Sequence, residues 1–344
     1  MYSRSPHFTP PSPEVESRIQ SLIDQLGTDE KVLLLGGKPG QSGPQANSAT
    51  FALERIGLPE LRMADGPTGV HWWCDASTAY PALIAAAASF DENLWYRLGM
   101  ALGRDCRARG VHILLAPGVN IYRSALCGRN FEYAGEDPFL SSRFAVAYIR
   151  GLQDQGVSAT VKHFAVNFME YARHTVSSDV DERTLHEIYF PAFKAAVTEG
   201  GCGALMTAYN LVNGVHCSEH AGLIQDTLKG EWAFDGVVMS DWLSTYSVAT
   251  AMNAGLDLEM PTADQFTRAK LLPVLESGEV SQATLDDKVR RVLRLAACFG
   301  WLDREQKDPT IPYDDPVTAE VALDIARAGV VLLKNDRNML PLDR

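Results

Sequence analysis

Apolar residues Val15, Ile19, Leu22, Ile23 and Leu26 recur at intervals of three and four behind Ser12-Pro13-Glu14. That spacing predicts an amphipathic helix with Ser12 as its cap and Pro13 in its first turn. Thr28 predicts the cap of a second helix over 29–35, and residues 36–48 read as a loop rich in Gly, Pro, Gln and Ser. The pattern then alternates. Short apolar runs end in polar residues: Leu61-Arg62-Met63 into Asp65, Ile113-Leu114-Leu115-Ala116 into Pro117, and Ala159-Thr160-Val161 into Lys162-His163. Ala204-Leu205-Met206 runs into Tyr209-Asn210, Val237-Val238-Met239 into Asp241, and Leu256-Asp257-Leu258 into Glu259. Helical spacing fills the gaps, over 92–110, 142–155, 182–199, 222–231, 246–254 and 264–277. Repeated strand-then-helix order implies right-handed βαβ units and a parallel sheet. The expected fold class is α/β, a (β/α)8 TIM-type barrel with irregularity in its first units. A doubly wound open sheet is the competing architecture, and no glycine-rich dinucleotide fingerprint follows the first strand to support it.

The tail changes character. Residues 281–299 predict a long helix with Val289, Val292, Leu293 and Ala296 on one side. Residues 303–316 are charged and Pro-rich without an apolar period and read as a linker. A helix over 318–328 breaks at Gly329, and Val330-Val331-Leu332-Leu333 reads as a buried-type strand before the turn Asn335-Asp336-Arg337-Asn338. The chain therefore divides into a barrel over 1–302, a linker over 303–316, and a stub over 317–344 that opens a following α/β sandwich domain.

Composition narrows the function. With 344 residues, 46% of them hydrophobic and 22% charged, the chain carries material for one large core or two smaller ones. A formal charge of −12 gives no long-range attraction for phosphate backbones or anionic lipid, so neither a nucleic-acid nor a membrane partner is expected. The six cysteines form no CxxC pair and, in a chain this long, no disulfide framework; free buried thiols in a reducing compartment are expected. Residues 1–13 hold no apolar leader and no stretch reaches the length of a membrane span, so the expectation is cytoplasmic. His and carboxylates do not cluster as metal ligands, and no metal or other cofactor is expected.

The strand ends carry the candidate chemistry. In α/β folds that end of the sheet is where function sits. Here it offers Asp65 in Asp65-Gly66-Pro67, Lys162-His163, Tyr209-Asn210 and Asp241-Trp242, with Arg173 shortly after Lys162-His163. The loop Gly128-Arg129-Asn130-Phe131-Glu132-Tyr133 adds charges among aromatics, and Phe131 and Tyr133 argue that it packs down. Asp-Gly-Pro is equally ordinary turn chemistry, and a lone His is more often structural than catalytic. Adjacent Lys and His behind a buried strand need a partner or a ligand. Charged side chains of both signs suit a neutral polyhydroxyl ligand, and Trp242 offers a pyranose an apolar face.

These motifs resemble the N-terminal barrel domain of glycoside hydrolase family 3, β-glucosidase branch. Asp65-Gly66-Pro67, Gly128-Arg129-Asn130-Phe131-Glu132, Gly135-Glu136-Asp137-Pro138, Lys162-His163-Phe164, Met206-Thr207-Ala208-Tyr209-Asn210 and Ser240-Asp241-Trp242 occur in the family's order, from about Thr28 to the end. The resemblance implies that Asp241 is the nucleophile of a retaining hydrolase releasing β-linked glucose or a related sugar from non-reducing ends. It implies that Asp65, Arg129, Lys162, His163, Arg173 and Tyr209 hold that sugar, and that Met206 and Trp242 line it. A small carbohydrate is thus the expected partner. The sequence departs from the family after the nucleophile, where Leu243-Ser244-Thr245-Tyr246 replaces small residues. In two-domain members the acid/base is a Glu from the next domain, so it is expected beyond residue 344, and the chain by itself is expected to be impaired. Three alternatives remain: an inactive sugar-binding module, an aldolase-like barrel using Lys162, and a single-domain N-acetylglucosaminidase-like enzyme with a His acid/base. The last lacks its Lys-His-Phe-Pro-Gly-His-Gly run here, leaving His174 and Asp179 as the local candidates.

Overall fold

The computed structural model describes residues 11–39, 48–71 and 76–342. Most of the leader segment, Cys74 and the greater part of the 36–48 loop lie outside the described residues.

Nine strands form among the described residues: β1 (Ser48–Ala49), β2 (Arg62–Asp65), β3 (Ile113–Leu115), β4 (Ser158–Phe164), β5 (Ser177–Ser178), β6 (Ala204–Thr207), β7 (Leu211–Val212), β8 (Val215–His216) and β9 (Val237–Met239). The main sheet runs β1-β2-β3-β4-β6-β9, parallel throughout except for the antiparallel β1. Its parallel strands are largely buried on both faces, helices covering one side and the curled interior the other. Isolated bridges extend the pairing from Met239 to Leu258, from Glu259 to Gly36, and from Gly37 to Thr50 beside β1. The expected strand at 256–258 is thus present only as bridged chain. β5, β7 and β8 make a small separate sheet over the mouth of β4 and β6. Two-residue strands give no readable alternation, so β1, β5, β7 and β8 escape periodicity.

Helices α1 (Pro13–Gln25) and α2 (Thr28–Leu33) precede the sheet, and α3 (Leu83–Ala87) and α4 (Glu92–Arg109) link β2 to β3. α5 (Pro138–Gln153) links β3 to β4. α6 (Glu182–Thr184), a π-helical turn over Leu185–Tyr189 and α7 (Pro191–Thr198) lead to β6, and a π-helical stretch over Gly222–Glu231 leads to β9. α8 (Val248–Ala254), α9 (Arg268–Glu276), α10 (Gln282–Cys298) and α11 (Pro316–Ala328) follow. α5 starts four residues before the predicted helix: the Asp137 carboxylate caps Leu140 N–H at 2.6 Å and Pro138 fills the first turn. That signal sits inside a motif that reads as loop.

One apolar core runs from Ile19 and Ile23 of α1 to Val321 and Ile325 of α11. α4 and α5 cross closely through glycine. A Cβ on Gly99 would stand 2.1 Å from the Tyr148 carbonyl oxygen, and one on Gly151 2.0 Å from that of Tyr96. Under β9, the buried Asp257 carboxylate accepts Val238 N–H at 2.8 Å and pairs with Lys229 at 2.7 Å and Lys288 at 3.4 Å. This fixes the strand that leads into Asp241.

Residues 303–316, expected as a linker, lie against the helices instead. Gln306 Nε2 donates to Val111 O at 2.7 Å, Asp315 pairs with Arg104, and Arg109 Nη2 donates to Tyr313 O at 3.0 Å. The strand expected at 330–333 does not form: those residues are exposed and pair with no strand among the described residues. Five described cysteines are free thiols. Among the described residues no helix is long and apolar enough to cross a membrane, and no group of His, Cys, Asp and Glu could hold a metal ion.

The α4–α5 crossing makes a prediction. Gly99→Leu or Gly151→Leu forces the helix backbones apart and should lower unfolding stability by about 1–3 kcal/mol. Gly128→Leu, whose Cβ meets nothing within 4 Å, should cost far less. Denaturant midpoints test the ranking, and equal midpoints would refute it.

Candidate active site

Four strand ends and one loop converge. β9 delivers Asp241, β4 delivers Lys162 and His163, β2 delivers Asp65, the chain after β6 delivers Tyr209, and the loop after β3 delivers Arg129. Asp241 is only 5% exposed. Its Oδ1 accepts Trp242 N–H at 2.7 Å, so the chain's own turn fixes the carboxylate's orientation. Its Oδ2 is buried and accepts no hydrogen bond from the described residues, standing 3.7 Å from Arg129 Nη1 and 3.6 Å from His163 Nε2. An unpartnered carboxylate oxygen in a protein interior is costly.

Burial is the dominant influence on Asp241 and raises its pKa above the ordinary value, against the opposing pull of Arg129, the Trp242 N–H, Lys162 and Tyr209. Tyr209 remains a phenol because burial, and then the charge of Asp241, push its pKa far up.

His163 is fully buried, and burial followed by the charges of Arg129, Lys162 and Arg173 drives its pKa well below the usual histidine range. It is neutral. Arg129 Nη2 can only donate, so at 2.7 Å it makes His163 Nε2 the acceptor. The ring proton therefore sits on Nδ1, 3.3 Å from the Tyr133 hydroxyl. Asn120 brackets the His163 peptide, donating to its carbonyl at 2.9 Å and accepting its N–H at 2.7 Å.

The sequence reading left Glu132 without a role of its own. It is buried, pairs with Arg129 Nε, and stands 3.5 Å from Lys162 Nζ, which is also 3.4 Å from Asp65. One carboxylate thus spaces two cations. The three-residue interval from Arg129 to Glu132 was the available signal. Tyr133 packs down as expected, whereas Phe131 is 52% exposed. Arg173 pairs with Glu170 at 2.9 Å and lies 3.9 Å over the Tyr209 ring. Met206, on β6 opposite Met239, is buried in the core, and the partly buried Trp242 packs against that core. All nine candidate residues lie on the face where the parallel strands end, Arg129, Lys162, His163, Tyr209 and Asp241 forming its centre.

A carboxyl whose pKa is raised by folding contributes stability below its unfolded pKa, and that contribution is lost as pH rises through the folded pKa. At neutral pH, above the ordinary carboxylate range, the buried carboxyl of Asp241 therefore burdens the fold. Asp241→Asn should raise the thermal midpoint at pH 7, with the gain shrinking below the ordinary carboxylate range. A lower midpoint at pH 7 would contradict this.

Residues 41–295 match the profile described as the glycosyl hydrolase family 3 N-terminal domain. The chain is 43% identical over 336 residues to "Probable beta-glucosidase J" of Aspergillus fumigatus, covering 95% of this chain and 38% of that protein. It is 42% identical over 329 residues to the "Beta-glucosidase" of Rhizobium radiobacter, covering 94% and 39%. The chain thus spans about two fifths of the length of these curated relatives. Among solved structures, β-glucosidase 3B of Thermotoga neapolitana, in complex with glycerol, superposes with a TM-score of 0.88 at 35% identity, covering 95% of this chain and 48% of that one. DesR, a β-glucosidase of Streptomyces venezuelae in complex with D-glucose, gives a TM-score of 0.88 at 36% identity, covering 95% and 43%.

Proposed function

The chain belongs to glycosyl hydrolase family 3, and on that premise we propose that it carries the nucleophile and sugar-binding half of a retaining β-glucosidase. The observation that carries this reading is the free, buried Oδ2 of Asp241, held between Arg129 and His163. In the proposed first step Oδ2 attacks the anomeric carbon while the bond to the leaving oxygen breaks and that oxygen takes a proton. Water then releases the sugar from the enzyme ester. The result is retention, with the two carboxyls about 5–5.5 Å apart. Arg129, Lys162 and Asp65 supply charge-assisted hydrogen bonds to hydroxyls, and neutral His163 offers neither a second positive charge nor a proton on Nε2. Tyr209, Arg173, Met206 and Trp242 complete the sugar subsite. A β-glucoside or short β-linked oligosaccharide is the substrate class.

We assign the acid to a residue outside those described. Asp65, Glu132 and Glu170 are each engaged by Lys162, Arg129 or Arg173. Burial and then Arg173 lower the pKa of His174, which disfavours the protonated form an acid needs. That argues against the His acid/base alternative. The fold proposed around the site is a (β/α)8-type barrel over 1–302 whose first two units are irregular, supported by the bridges that continue the sheet through 258, 36 and 50. Residues 303–316 lie against the helices of that barrel, and α11 joins its core.

The full-length protein incubated with a 2-deoxy-2-fluoro-β-glucoside should be labelled on Asp241, read by peptide mass mapping. A label on another residue would overturn the assignment, and stoichiometric binding without any label would favour the sugar-binding module. The acid limb of kcat/KM should follow Asp241, above the ordinary carboxylate range, because the nucleophile must be ionised. Lys162→Met removes a cation that favours the ionised form, so it should move that limb to higher pH. An unmoved limb would show that another group controls it.

A further inference from the structure

His163 is held so that its proton, rather than its ring, is the free variable. Asn120 bonds both the carbonyl and the N–H of His163, so the backbone beneath the imidazole is fixed. Arg129 Nη2 stands 2.7 Å from Nε2 and the Tyr133 hydroxyl 3.3 Å from Nδ1. Among the described residues no other side chain hydrogen-bonds to the ring.

Two tautomers compete for this frame. With the proton on Nδ1, the ring donates to the Tyr133 oxygen and Nε2 accepts from the guanidinium. With the proton on Nε2, two donors oppose each other across 2.7 Å, and the nearby acceptor is Asp241 Oδ2 at 3.6 Å. The second state would set a hydrogen-bond donor against an oxygen that the described residues leave free.

The fold makes a closed seat for Tyr133. Its side chain is 1% exposed and its ring meets that of His163 near a right angle, with centroids 6.2 Å apart. A Cβ on Gly118 would stand 2.8 Å from Tyr133 Cδ1, so the loop after β3 keeps a glycine where the ring lies. The Tyr122 hydroxyl donates to the Tyr133 carbonyl at 3.3 Å, and Tyr122 N–H donates to Gly135 O at 3.1 Å, tying the two arms of that loop together. The charged and titratable groups facing Tyr133 are Arg129, Glu132, Glu170 and Cys127, and those facing His163 are Arg129, Lys162, Arg173 and Asp241. Burial keeps Tyr133 a neutral phenol, so its hydroxyl acts on the ring as a dipole and not as a charge.

We propose that Tyr133 is a positioning residue for the reaction: it accepts the Nδ1 proton of His163 and thereby keeps a hydrogen-bond donor off Asp241 Oδ2. The proposal rests on Asp241 being the nucleophile. A carboxylate oxygen that already accepts a hydrogen bond is stabilised as the anion and attacks more slowly. Removing the Tyr133 hydroxyl leaves Nδ1–H unpaired in the interior and tips the ring toward the Nε2 tautomer, whose proton Asp241 can accept.

The test follows labelling of the full-length protein by a 2-deoxy-2-fluoro-β-glucoside across pH, in the parent and in Tyr133→Phe. The substitution changes no formal charge, so a moved profile reports the proton on His163. Tyr133→Phe should lower the pH of half-maximal labelling by about one pH unit, the equivalent of one hydrogen bond to a charged group, and lower the plateau rate about tenfold. An unmoved midpoint, with or without a slower plateau, would overturn the proposal, as would a midpoint moved upward. Ring spectra of protein carrying isotope-labelled histidine check the parent on its own, whatever the variant's folding. The resonance missing from His163→Gln should show an unprotonated Nε2 at neutral pH, and a proton there overturns the proposal. A label on a residue other than Asp241 would instead sink the nucleophile reading beneath it.

Discussion

A carboxylate can be held in a protein interior with one oxygen unsatisfied only if the surroundings compensate for the lost water, and the site is organised by that requirement. Asp241 is buried, so cations must stand near it. Those cations repel one another, so Glu132 stands between Arg129 and Lys162. A histidine in contact with both Asp241 and Arg129 must stay neutral, and burial ensures this for His163. Each element of the pocket follows from the one before it, beginning with the cost of a lone Oδ2.

The comparison with Asp257 makes the distinction concrete. Both carboxylates are buried and both flank β9. Asp257 has its oxygens engaged by Val238 N–H, Lys229 and Lys288. Burial, against the pull of Asp257, lowers the Lys229 pKa to about 7, showing how tightly that region is closed to water. Asp257 therefore holds the strand in register, while Asp241, three residues past Val238, is left incomplete. A satisfied buried charge supports structure; an unsatisfied one, aimed into a pocket, is available for chemistry.

The parallel strands were legible because burial on both faces leaves an uninterrupted apolar run, and β4, β6 and β9 lie where such runs occur. The chain at 36–37 and at 48–50 was not legible, since a few Gly, Ser, Ala and Thr residues carry no period; only pairing defines them. Residues 303–316 misled for the opposite reason. Their polar side chains bond to carbonyls and charges of the helix layer, as with Gln306 on Val111 O, and hydropathy cannot register burial achieved by hydrogen bonding. In the site, residues at strand ends were found by position. Glu132 was hidden because its second partner, Lys162, comes from β4, distant in sequence.

The apolar run past α11 bears on how the molecule behaves in solution. Val330, Val331, Leu332 and Leu333 follow Gly329 in sequence, with Leu333 91% exposed, and their peptide groups pair with no strand among the described residues. An extended, uncharged segment of this kind is a template for another chain's backbone. At high concentration, residues 1–344 in isolation would associate through this run rather than through the acidic surface, whose charges repel. Colloidal behaviour would then be governed by four residues remote from the chemistry, and a single lysine among them would change it more than any substitution in the pocket.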